Sequence, residues 1–215
     1  IGAPYEIWGI NPETGKLKWY CNAMETDQFN SSVVISDNMI YSVEGRGGGS
    51  IAIRTGGKGD VSSSNVVWSG NDSNRFASPL VYDGKIYLIS GGTAKCISTV
   101  DGKQIFQARL SGGEANSGNA QEAGGERIPG GFGGGRGGRG GGRGSDYASP
   151  VLGDGKIYYV TRAGEVHVLK PGETFEKLAT NKLTNDSEDF SATPAISAGQ
   201  IFFRSSKHLY CYSAK

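Results

Sequence analysis

A chain of 215 residues with 22 basic and 21 acidic side chains and a formal charge of +1 has room for one sizeable core, and its charge balance selects neither a polyanionic nor a polycationic partner. Its 36 Gly, far above the usual share of about 7%, together with 10 Tyr, 8 Phe and short Val/Ile runs, favour an all-β chain with many turns. No stretch approaches the roughly 20 apolar residues of a membrane helix, amphipathic helix periodicity is absent, and the opening at Ile1 leaves room for an upstream leader.

Along the chain, INPETGKLKW, from Ile10 to Trp19, is a polar turn followed by an alternating run. SSVVISDNMIY, from Ser31 to Tyr41, then gives an apolar run, a two-residue polar turn and a second apolar run. The same form returns as FASPLVYDGKIY from Phe76 to Tyr87, as YASPVLGDGKIY from Tyr147 to Tyr158, and more weakly as TPAISAGQIFF from Thr193 to Phe203. Tyr41 to Tyr87 is 46 residues, Tyr158 to Phe202 is 44, and Tyr87 to Tyr158 is 71, one period plus an insertion of about 26. Asp83-Gly84 and Asp154-Gly155 between apolar runs are hairpin signals, because a type I′ turn needs positive φ at both central residues. GEVHVLKPG, from Gly164 to Gly172, and LYCYSAK, from Leu209, each begin a second hairpin. Four strands in about 45 residues make a β-propeller blade. The expected repeats cover about 1–27, 28–73, 74–113, 146–187 and 188–215, with a Gly/Arg-rich insertion at 114–145.

The segment Ile10 to Trp19 resembles the AxDxxTGKxxW motif of quinoprotein-type (pyrroloquinoline-quinone-like) propeller repeats, with Asn11, Thr14, Gly15, Lys16 and Trp19 at the motif positions. In STVDGKQIF, Gly102 and Lys103 are kept and Phe106 stands where the motif has Trp; the second and fourth copies are degenerate, with Trp68 a candidate docking residue after a longer turn. The resemblance implies an all-β propeller of four-stranded antiparallel blades, here about four blades of a seven- or eight-bladed ring whose remainder lies upstream and supplies the outer strand that the last blade lacks. It is similar in particular to exported bacterial repeat proteins related to the lipoprotein scaffold of the outer-membrane assembly machine. That likeness implies a periplasmic or exported protein that binds a protein or envelope polymer without a cofactor.

Between Ser111 and Ser145, GGFGGGRGGRGGGRG holds Arg136, Arg139 and Arg143, with Arg127 and Phe132 nearby. This composition has too little apolar surface to offset its ordering entropy and reads as a disordered loop. Nucleic-acid or other polyanion contact through those arginines is a further reading, held against by the near-zero net charge and the lack of another basic stripe. Arg46, Arg75, Arg162 and Arg204 are candidates for a ligand or partner face, since a propeller gathers one loop from every blade around its channel. Arg162 and Arg204 follow their hairpins at similar places.

Catalytic signals are weak. Cys21, Cys96 and Cys211 lack metal or redox spacing and read as small buried hydrophobes. Asp83, Asp101 and Asp154 occupy turn positions. His167 and His208 have no nucleophile or metal pattern around them, and Ser78-Pro79 and Ser149-Pro150 are repeat signatures. The leading reading is a noncatalytic scaffold. The alternative is part of a quinone-dependent dehydrogenase binding pyrroloquinoline quinone with calcium through upstream ligands.

Overall fold

The computed structural model describes residues 1–44, 48–74, 76–111, 115–116 and 146–213. They form five largely antiparallel sheets that succeed one another along the chain. The first holds β1 (Gly2–Ala3), β2 (Glu6–Ile10) and β3 (Leu17–Asn22). The second holds β4 (Val34–Ser36), β5 (Met39–Glu44), β6 (Gly49–Arg54) and, after a detour, β8 (Val66–Gly70). Within that detour β7 (Gly59–Asp60) pairs parallel to β3 and completes the first sheet, and α1 (Ser62–Asn65) is a single helical turn that the strand pattern did not announce. The third sheet runs β9 (Leu80–Tyr82), β10 (Lys85–Ser90), β11 (Thr93–Ser98) and β12 (Gln104–Arg109), with β13 (Ala115–Asn116) at its outer edge. The fourth is β14 (Val151–Gly153), β15 (Lys156–Val160), β16 (Glu165–Lys170) and β17 (Glu176–Lys182). The fifth has three strands among the described residues: β18 (Ala195–Ser197), β19 (Gln200–Arg204) and β20 (Leu209–Ser213).

Each repeat opens with a hairpin on two residues of positive φ: Asp37-Asn38, Asp83-Gly84, Asp154-Gly155 and Ala198-Gly199, the arrangement whose twist matches the flanking strands. The turn between third and fourth strands is built alike in the first and third sheets. Asn11 Oδ1 accepts the N–H groups of Glu13 at 2.9 Å and Thr14 at 3.2 Å, and the N–H of Gly15 donates to Asn11 O at 2.9 Å. Ser98 takes the place of Asn11, its Oγ accepting from Val100 at 3.1 Å while Gly102 donates to Ser98 O at 3.0 Å. Gly15 and Gly102 have φ of 67° and 69°, where a side chain would be strained.

In the second to fourth sheets, as in the first, the ladder between the last two repeat strands slips by one residue at a common place: after Gly9, Ala52, Cys96 and Val168. Immediately before the slip, Gly9 faces Trp19, Ala52 faces Trp68 and Cys96 faces Phe106. A small residue is needed there, since a Cβ on Gly9 would come within 2.0 Å of the Trp19 ring. Each aromatic then packs on the following sheet. Trp19 joins Ile40, Ile51 and Ile53; Trp68 joins Ile86, Leu88 and Ile97; Phe106 joins Ile157, Tyr159 and Leu169. The Trp68 indole also donates to Thr99 O at 2.9 Å and lies against Gly102, where a Cβ would approach to 2.8 Å. The core is therefore a series of inter-sheet layers instead of one central mass.

The cysteines divide. Cys21 and Cys96 are buried, but Cys211 is exposed, contrary to the expectation for all three. Its register counterparts Ala52 and Cys96 are covered by an aromatic and a following sheet, whereas no described element packs on the fifth sheet at that position.

Candidate functional site

The inner strands of successive sheets are tied in series by hydroxyl groups. Ser32 N–H donates to Ser78 Oγ at 2.9 Å, Ser78 N–H to Ser149 Oγ at 2.9 Å, and Ser149 N–H to Thr193 Oγ1 at 3.0 Å. The bonded residues lie 46, 71 and 44 positions apart, the spacings of the repeat itself. Ser78, Ser149 and Thr193 each precede proline, which has no N–H to offer, so their own N–H is the last donor before the strand. The hydroxyls act as clasps between neighbouring sheets.

On the same side, buried carboxylates fix the loops that lead into the inner strands. Glu44 Oε1 accepts from the N–H of Asn30 at 2.9 Å, the N–H of Ser31 at 2.8 Å and the Ser31 hydroxyl at 2.9 Å. Asp146 Oδ1 accepts the N–H of Arg162 at 3.0 Å. Glu188 accepts from the Ser205 hydroxyl, lies 2.8 Å from His208 Nδ1, and accepts from Tyr210 at 3.1 Å. Ser205 first, then His208 and Tyr210, hold the Glu188 carboxyl below its ordinary value. Sequence reading singled out none of these three acids. Glu44 reaches from the end of β5 while Asp146 and Glu188 reach from loops, so they share no spacing that could have marked them.

Where these loops meet, an aromatic–cation row is exposed. Phe76, Tyr147 and Ser191 sit two residues before Ser78, Ser149 and Thr193 and are thus counterparts in successive repeats. The Phe76 and Tyr147 rings are tilted by 43° with centroids 4.7 Å apart, and Tyr147 is 40% exposed. Arg162 Cζ lies 5.6 Å from the Tyr147 ring centroid. Its Nε donates to Asp189, which also accepts from Ser191. The Ser191 hydroxyl and then the Arg162 guanidinium keep the Asp189 carboxyl below its usual range, and Asp189 in turn raises Arg162. A rigid ring and a guanidinium held over it are the side-chain types that dominate interface energetics.

The arginines singled out in the sequence fare differently. Arg162 stands in the turn after β15 and is built into this row. Arg204, at the end of β19, is the register counterpart of Val160, not of Arg162, because Phe202 corresponds to Tyr158 in the hairpin pairing. Its side chain is exposed and makes no hydrogen bond or ion pair among the described residues, while its backbone pairs with Leu209 in the β19–β20 ladder. Arg46, Arg75, Arg136, Arg139 and Arg143 lie outside the described residues, as does the insertion apart from Ala115–Asn116.

The turn acids serve locally: Asp101 Oδ1 accepts from Lys103 N–H at 3.2 Å, and Asp154 pairs with Lys156 at 2.7 Å. His167 is buried, 3.2 Å from Thr180 Oγ1, and burial lowers its pKa. Among the described residues no three of His, Cys, Asp and Glu converge as a metal site would need; Glu44 Oε1 is taken up by backbone and hydroxyl donors, while its buried Oε2 has no partner.

No protein-family model matches the chain, and no curated protein sequence matches it. Solved structures do. BamB from Moraxella catarrhalis superposes with a TM-score of 0.63 at 18% identity, over 98% of this chain and 53% of that one. The quinohemoprotein alcohol dehydrogenase ADHIIG from Pseudomonas putida HK5 gives 0.56 at 11% identity, over 88% of this chain and 30% of that one. The computationally designed Ika8 protein gives 0.52 at 10% identity, over 99% of this chain and 66% of that one. The likeness establishes the fold: successive antiparallel sheets arranged as β-propeller blades. The chain spans about half the length of BamB and less than a third of the dehydrogenase. No helix among the described residues is long and apolar enough to cross a membrane.

Proposed function

We propose that this chain is an arc of a noncatalytic propeller scaffold that presents the loop face around Phe76, Tyr147 and Arg162 to a protein partner, in an exported or periplasmic setting. The observation that carries the reading is the exposed aromatic–cation row, aligned by the repeat and fixed beneath by clasps and buried acids. The fold likeness to BamB fits an exported scaffold. The remainder of a seven- or eight-bladed ring would supply the other blades. The test is retention from envelope extract by the full-length protein, wild type against the Tyr147→Ala/Arg162→Ala double variant. A discrete partner lost in the variant, with melting temperature unchanged, is expected. Equal retention by both proteins refutes the assignment of this face.

A second reading is favoured by the likeness to the quinohemoprotein alcohol dehydrogenase. In it the chain is one part of a quinone-dependent enzyme whose cofactor ligands lie upstream. Calorimetric titration of the full-length protein with pyrroloquinoline quinone and calcium separates the two: saturable binding supports the enzyme, and its absence removes that reading.

A further inference from the structure

Three of the inter-sheet layers are filled by a ring from the outer repeat strand of the preceding sheet, and the fourth is not. By the common ladder slip, the counterpart of Trp19, Trp68 and Phe106 in the fourth sheet is Ala179, which faces Val168. Ala179 is the one residue of β17 that is not exposed, and it packs toward the fifth sheet. Its methyl group occupies a small part of the space that an indole or phenyl ring takes in the other layers.

The bed for such a ring is nevertheless complete. Trp68 rests on Ile86, Leu88 and Ile97, and Phe106 rests on Ile157, Tyr159 and Leu169. Strand pairing places Ile201, Phe203 and Tyr212 at these same three positions in the fifth sheet. These three residues, with Tyr158, Val166 and Val168 opposite, line a cleft of about 390 Å³. An apolar cleft of this size falls within the range of ligand sites, and apolar cavities left by an absent side chain take up aromatic rings.

We propose that this cleft is a docking slot for the indole or phenyl side chain of a partner polypeptide, supplied from outside where the other layers supply it from within. The inference rests on the scaffold reading and adds a second contact point to it. A polypeptide suits the rim, where Lys182 and Asn181 provide a cation and an amide for the carboxylate and carbonyl groups flanking the ring. The ring itself would reproduce the packing of Trp68 one layer further along.

The probe is N-acetyl-L-tryptophanamide, titrated into the full-length protein while the methyl resonances of Val168 and Ile201 are followed. Saturable shifts are expected, with N-acetyl-L-leucinamide weaker by at least about tenfold. Ala179→Trp, which restores the ring from within, should weaken the probe by at least about tenfold and raise the melting temperature by about 2–4 °C. Absence of shifts, undiminished binding to A179W, or a fall in melting temperature in both A179W and A179F overturns the slot, since an open slot accepts a ring without strain. Free indole binding more tightly than the amide overturns the polypeptide occupant. The Tyr147→Ala/Arg162→Ala variant should bind the probe unchanged, which separates failure of the slot from failure of the exposed row.

Discussion

Replacing Trp68 with alanine removes a ring that is 9% exposed and bridges two sheets. It uncovers Ile86, Leu88 and Ile97, leaves Thr99 O without its indole donor, and opens space above Gly102. Truncations of this kind in well-packed interiors cost about 3–5 kcal/mol. For a chain of this length each kcal/mol moves the melting temperature by about 2–4 °C, so a fall of roughly 6–20 °C is expected. Trp68→Phe keeps most of the packing and loses the hydrogen bond, so it should cost about 1 kcal/mol. Urea unfolding followed by circular dichroism gives both values. Hydrogen exchange adds location: β10 and β11 should open faster in W68A while β2 and β3 do not, because Trp68 fills the layer between the second and third sheets and not the one that Trp19 fills between the first and second. A W68A protein within about 0.5 kcal/mol of wild type, or W68F as costly as W68A, refutes the account of aromatic docking.

Three further outcomes follow from the same contacts. Ser149→Ala removes the acceptor of Ser78 N–H and should destabilise by about 1–2 kcal/mol in urea unfolding, whereas Ser149→Thr, which copies Thr193, should largely restore it. Burial lowers the folded-state pKa of His167, so the unfolded chain binds its proton first, and stability should decline as pH falls from about 6.5 toward the lower folded value. His167→Leu should flatten that part of a urea-midpoint profile. The carboxyl of Glu188 is lowered by Ser205, His208 and Tyr210, so its contribution is present above about pH 4.5 and is lost on further acidification; Glu188→Gln should make stability less dependent on pH in that acidic range.

The repeat was legible because its signals are local. Asp-Gly between apolar runs dictates a hairpin, and Gly15 and Gly102 announce turns with positive φ. The excursion between β6 and β8 was opaque: β7 pairs with a strand about forty residues earlier, and Gly59-Asp60 carries no strand pattern of its own. Trp68 is a candidate docking residue in sequence only by allowing a longer turn before it, and the shared ladder slip is what aligns it with Trp19 and Phe106. The same slip reveals Ala179, which is unremarkable in sequence because an absent ring leaves no motif. Arg162 was visible as a charge in a loop. Its setting was not, since Tyr147, Asp189 and Phe76 come from three separate connections. Ser78-Pro79 and Ser149-Pro150 are repeat signatures in the sequence, but the bonds between sheets that explain their recurrence, and that add Thr193 to them, are nonlocal.

Photo-crosslinking from the loop face tests the central claim most directly. A photoreactive phenylalanine analogue replaces Tyr147, or as a control Tyr82, which is 41% exposed beside the Asp83-Gly84 turn at the other end of an inner strand. The account predicts a discrete protein adduct in envelope extract from position 147 and none from position 82. The same adducts from both positions, or an adduct from position 82 alone, would contradict it.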